Sequence, residues 1–148
     1  MSASSHRVEQ GANGLEIQLS GTVSVESIDE ITGQVEGLLA ALPRKTVLLD
    51  LTDVTECGIG ACRRLAVLQR KIGAGGCRTA YLTDRARIRG VAWWIVHAAK
   101  DPRAMPTNTM AHAERWLEGS AMRIDELHDH ATNATLMMRE RLAQETKP

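Results

Sequence analysis

The run Thr46-Val47-Leu48-Leu49-Asp50-Leu51 constrains this chain more than any other stretch. It is apolar almost without a break, whereas a strand with one wet face alternates apolar and polar residues. Such a strand needs cover on both faces and belongs at the centre of a sheet with helices packed on it. The flanking sequence supplies those helices. Ile28, Ile31, Val35, Leu38, Leu39 and Leu42 recur at helical spacing before the strand, behind Ser24 or Ser27 as a cap and ahead of Pro43 as a stop. After it, a loop from Thr52 to Gly60 leads to a second stripe, Ala61, Leu65, Leu68 and Ile72, closed by Gly73-Ala74-Gly75-Gly76.

The same reading extends in both directions. Residues 1–6 are expected to be a loose leader. Arg7–Gln10 and Leu15–Leu19, the second strictly alternating, flank Asn13-Gly14 and predict a β-hairpin, with Gly21 ending its second strand. Cys77–Leu82 is the next strand. Thr83-Asp84 is expected to cap a helix over 85–99 whose buried face is Ile88, Val91, Ala92, Ile95 and Ala99, broken by Asp101-Pro102. Met105–Asn108 reads as a short edge strand, and Thr109 caps a brief helix through Ala113, Trp116 and Leu117. Strands alternating with helices predict an α/β fold: a mixed, mainly parallel sheet of about four to five strands with helical cover. Gly119 marks a change of character. It divides a domain over 1–118 from a helical extension over 119–148, whose seam of Ile124, Leu127, Ala131, Ala134 and Met138 packs on its own domain or in a homodimer.

Composition narrows the function. A chain of 148 residues suits one domain that buries a core without staples. The formal net charge is zero, which argues against broad binding to nucleic acid or an anionic membrane. No segment approaches the length of a membrane span, and no signal peptide is expected. Cys57, Cys62 and Cys77 are odd in number and lack a CxxC pair, so a reduced, cytoplasmic setting is expected.

Several residues carry a family resemblance. Leu19-Ser20-Gly21-Thr22-Val23 looks like a strand end with a Leu-Ser-Gly run. Val47-Leu48-Leu49-Asp50-Leu51-Thr52-Asp53-Val54-Thr55 looks like three apolar residues followed by Asp-Leu-Ser-x-Val. Gly58-Ile59-Gly60-Ala61 and Gly75-Gly76 fall where a loop enters and leaves a helix. In these the chain resembles the STAS domain, the fold of bacterial anti-sigma-factor antagonists and of the cytosolic tails of sulfate transporters, over roughly residues 7–118. The resemblance implies a non-enzymatic, regulatory protein-interaction module whose partner is a kinase-like regulator or a sibling STAS protein. The antagonists carry Asp-Ser-Ser-Gly before the second helix, and a partner kinase phosphorylates one serine. Here Gly60 stands at the target serine and Gly58 at the aspartate, so the standard phospho-switch is expected to be absent. The docking edge the resemblance implies comprises Glu56, Cys57, Gly58, Ile59, Gly60, Cys62, Arg63 and Arg64. The region Arg87–Leu117 is similar, more loosely, to CRAL-TRIO lipid-transfer folds. It points to an alternative: a small apolar ligand or lipid held near Trp93, Trp94 and Trp116.

The remaining chemistry is sparse. His97, His112, His128 and His130 fall on different helices or faces, and no metal or cofactor site is expected. Asp50, Asp53 and Glu56 read as a solvated strand-end cluster rather than a paired acid and base. Arg63, Arg64, Arg70 and Lys71, with Arg85, Arg87 and Arg89, form either a solvated face or a surface for an acidic partner. Cys57 and Cys62 flank a helix start, where a thiolate is favoured, so a redox-sensing module is a second alternative; the plain reading is two small packing residues.

Overall fold

The computed structural model describes residues 5–11 and 14–119. They form β1 (Ser5–Gly11), β2 (Gly14–Val23), α1 (Val25–Leu39), β3 (Thr46–Cys57), α2 (Ile59–Ala74), β4 (Arg78–Leu82), α3 (Ala86–Ala99), β5 (Ala104–Thr107) and α4 (Met110–Glu118). The strands make one five-stranded sheet in chain order. The β1–β2 hairpin is antiparallel and each later neighbour is parallel. The mixed, mainly parallel α/β class expected from the sequence is the class observed. The extension expected beyond Gly119, with its seam, His128 and His130, lies outside the described residues.

Each parallel step moves one strand further along the sheet through a helix, so right-handed crossovers put α1, α2 and α3 on one face. α2 packs between α1 and α3. Strand alternation sorts the sheet accordingly. Leu15, Ile17, Leu19, Val47, Leu49, Leu51 and Tyr81 join Ile28, Ile31, Val35, Leu65, Leu68, Ile72, Ile88, Ala92 and Ile95 in the main core. Leu48, Ala80 and Leu82 are buried but lie outside that cluster, on the opposite face. There α4 lies over β4: Trp116 Nε1 donates to the Thr79 carbonyl at 2.8 Å, and the Arg78 guanidinium stacks 3.9 Å from the Trp116 ring centre. The central strand is therefore covered on both faces, as its sequence requires.

Several boundaries differ from expectation, and the differences matter for the site. β2 does not stop at Gly21. That residue takes φ +70° at a shift in register, and the strand runs on to Val23. Its extra length gives β3 a partner beyond Leu51, with Gly21 opposite Val54 and Val23 opposite Cys57. β3 is thus 12 residues long, Val54 is buried, and the loop expected over Thr52–Gly60 shrinks to Gly58. α1 ends at Leu39 rather than at Pro43, and Leu42 still reaches the core from the turn beyond. Its cap is Ser24, whose Oγ accepts from Ser27 N at 3.1 Å. Thr83-Asp84 does not cap α3. The cap position is Arg85, and Thr83 Oγ1 accepts from its N–H at 3.3 Å. Ser5 and His6, assigned to the leader, pair with Ser20 and Leu19 as part of β1.

A buried polar network centred on Gln69 sits at the helix-facing layer. Gln69 of α2 is fully buried and makes three hydrogen bonds. Its Nε2 donates to Thr79 Oγ1 at 3.1 Å and to Asp101 Oδ2 at 2.9 Å, and its Oε1 accepts from Tyr81 OH at 2.6 Å. These bonds tie α2, β4 and the turn after α3 together. A fully satisfied buried network of this kind specifies one packing.

Candidate functional site

The end of β3 and the start of α2 meet at Gly58, whose backbone is extended (φ −72°, ψ 169°) and whose side of the chain is open: a Cβ there would meet nothing within 4 Å. The helix starts without a side-chain cap. Cys62 N donates to the Gly58 carbonyl at 2.9 Å, closing the first turn. At Gly60 an added Cβ would stand 3.4 Å from Val25 Cγ2, in contact with the start of α1.

This junction presents apolar surface to solvent. Ile59 is 74% exposed, a high value for a β-branched aliphatic residue. Beside it, Cys57, Ile59, Cys62 and Arg63 face Arg87, Gly90, Val91 and Trp94 of α3 across a groove of about 530 Å³. Gly90 keeps the groove open, because a side chain there would meet nothing within 4 Å. Trp94 is 46% exposed along one wall. Arg63 and Arg87 stand at the rim, and among the described residues neither has an acidic partner, while Arg64 lies 3.7 Å from Asp29. Arg85 anchors the start of α3 to the sheet by donating to the Val54 carbonyl at 3.2 Å.

The Cys57 thiol is the perturbed group here. Cys62 is buried, and its Sγ lies 3.4 Å from Cys57 Sγ. Burial first, then the hydrogen bond and the charge of Cys62, push the Cys57 thiol up to about 12.

Of the residues expected at the docking edge, the structure gathers Cys57, Ile59, Cys62 and Arg63 along the groove and places Gly58, Gly60 and Arg64 close by on the surface. Glu56 is exposed on β3. The three tryptophans do not line one cavity. Trp94 lines the groove, Trp93 is its exposed neighbour on α3, and Trp116 is buried on the other face of the sheet. The reason is helical geometry: adjacent residues diverge by about 100°, and α4 is separated from α3 by the sheet itself. Sequence reasoning missed Gly90 and Val91 as lining residues. A glycine inside a strongly helical stretch was the available signal. A second cleft, of about 500 Å³, lies on the α4 face among Glu9, Glu16, Leu48, Met110, Glu114 and Leu117. Among the described residues, no group of three or more His, Cys, Asp or Glu could hold a metal ion, and no helix is long and apolar enough to cross a membrane.

No protein-family profile and no curated protein matches the sequence. Solved structures do match. An anti-sigma factor antagonist from Mycobacterium paratuberculosis superposes with a TM-score of 0.60 at 16% identity, covering 78% of this chain and 95% of that one. The fold is that of the STAS anti-sigma-factor antagonists. The antagonist SpoIIAA in its unphosphorylated form gives a TM-score of 0.58 at 15% identity, over 78% of this chain and 99% of its own. An uncharacterised protein of SpoIIAA-like fold from Shewanella loihica gives 0.57 at 16% identity, over 79% and 95%. The STAS fold therefore accounts for the sheet, the three crossover helices and the position of the β3–α2 junction.

Proposed function

We propose that this chain is a non-enzymatic, STAS-like regulatory module of the cytoplasm that docks a partner protein over the start of α2 and the α2–α3 groove. The observation that carries the reading is the solvated apolar surface of Ile59 and Trp94 around an open groove with Arg63 and Arg87 at its rim. A large aliphatic side chain held in water at a helix start gains nothing from burial in the free protein, and a partner that covers it gains that burial on binding. The arginines favour a partner that offers carboxylates around an apolar plug. The STAS fold supports a protein partner, and a kinase-like regulator or a sibling STAS protein fits both. With glycine at positions 58 and 60, the module works without the serine switch of the antagonists.

The test is capture of the tagged chain's partner from its own cells, followed by binding of the two purified proteins. Ile59→Asp removes about 2 kcal/mol of apolar burial and lowers affinity at least about tenfold. Gly90→Leu fills the groove from a position with open space and does the same without weakening the fold. Unchanged affinity in both variants, each folded by circular dichroism, overturns this docking surface.

One observation favours a second reading, a small apolar ligand or lipid: the groove's volume and its Trp94 wall suit an acyl chain or a ring. Organic extraction of the purified protein distinguishes the two. A stoichiometric small molecule, lost in Gly90→Leu, supports the ligand binder, and an empty extract counts against it.

A further inference from the structure

The two thiols at the β3–α2 junction are in direct contact, Cys62 Sγ donating to Cys57 Sγ. Cys57 closes β3 and Cys62 lies in the first turn of α2, yet their sulfurs are 3.4 Å apart. Both line the open groove, Cys57 half-buried and Cys62 buried. A disulfide needs about 2.05 Å between sulfurs, about 1.4 Å closer than the two stand here. The chain between them contains Gly58, where an added Cβ would meet nothing within 4 Å. Cys77 is fully buried under the sheet and does not line the groove.

We propose that Cys57 and Cys62 form a reversible dithiol–disulfide site whose oxidant is a hydroperoxide. Cys62 sulfur attacks one peroxide oxygen. The O–O bond breaks, Cys62 becomes a sulfenic acid, and the other oxygen leaves as water or an alcohol with the thiol proton. Cys57 sulfur then displaces the sulfenic hydroxyl, which leaves as water with the Cys57 proton, and the S–S bond forms. Two thiols lose two electrons and the peroxide gains them. A dithiol reductant reverses the step by exchange. Cys57, pushed up to about 12, keeps its proton until a sulfenic acid is beside it, and Cys62 is the other sulfur of the pair. The bond cross-links the floor of the groove to the strand end, so oxidation alters the shape of the groove. The inference stands on the thiol geometry and does not depend on the docking reading.

The experiment treats the reduced full chain with hydrogen peroxide, alkylates the remaining thiols, digests with trypsin and weighs the peptides. Residues 46–63 carry both thiols on one peptide and residues 72–78 carry Cys77. The expected result is loss of two hydrogen masses from peptide 46–63, restored by dithiothreitol, with Cys77 unoxidised. Cys57→Ser leaves a sulfenic acid at Cys62 that dimedone traps, and Cys62→Ser leaves Cys57 a thiol. Formation must also be faster in the folded protein than in urea. Equal rates, oxidation of Cys77 first, sulfinic or sulfonic acids without the intrachain bond, or only interchain linkage would each overturn the proposal.

Discussion

Replacing Gln69 by Leu tests whether the polar network inside the helix layer holds the fold in its observed packing. The two side chains are similar in volume, so little cavity opens and the change isolates the hydrogen bonds. Tyr81 OH loses its acceptor at 2.6 Å, Asp101 Oδ2 loses its donor at 2.9 Å, and the fully buried Thr79 Oγ1 loses its donor at 3.1 Å. Tyr81 is fully buried and cannot turn to water, and the Asp101 side chain keeps only the bond from Arg103 N at 3.0 Å to its other oxygen. An orphaned buried polar group costs about 1–3 kcal/mol, so three of them near the low end, partly offset by the extra apolar burial of Leu, give about 3 kcal/mol. For a chain of this size that lowers Tm by about 10 °C. Tyr81→Phe alone orphans only Gln69 Oε1 and costs about 1–1.5 kcal/mol. Combined with Gln69→Leu, it removes the donor that the first change strands, so the double variant is more stable than the sum predicts by about 1 kcal/mol. Urea unfolding followed by far-ultraviolet circular dichroism measures all three. A loss below about 1 kcal/mol in Gln69→Leu, or strict additivity with Tyr81→Phe, would refute the reasoning.

Two further outcomes follow from the same region. Burial, then the charge of Asp101, raises the Tyr81 pKa, so the phenol holds its proton more tightly folded than unfolded. Its contribution is complete below the unfolded value of about 10 and is lost as pH rises above it, so alkaline unfolding should coincide with the phenolate absorbance of this sole tyrosine and shift upward in pH in Tyr81→Phe; phenolate appearing while the fold persists contradicts this. Gly73 faces Asp101, whose Oδ2 would lie 2.4 Å from an added Cβ, so Gly73→Ala should destabilise by about 2 kcal/mol despite the better helix propensity of Ala, and a gain in stability by thermal melting contradicts the packing.

The class of fold and the order of its elements were legible in the sequence because both follow from local periodicity. Val47, Leu49 and Leu51 face one helical layer and Leu48 faces another, as a nearly continuous apolar run demands. The stripes of Ile28, Ile31 and Val35, and of Leu65, Leu68 and Ile72, lie in the core that joins them to the sheet. The proposed docking edge, at the helix entry after the central strand, was suggested in the sequence only by family resemblance.

The groove itself was not legible. Its walls come from α2 and α3, whose facing residues Ile59, Arg63, Arg87, Gly90 and Trp94 acquire their relation only when the crossovers set those helices side by side. The length of β3 was decided in the same way, by β2 running past Gly21 to give it a partner as far as Cys57. The separation of Trp116 from Trp94 and the burial of Gln69 likewise depend on which layer each helix occupies. Sequence alone determined what each segment prefers, because preference is set by neighbours a few residues away. Tertiary structure decided which sulfurs, indoles and amides meet, because those distances are set by packing between segments far apart in the chain.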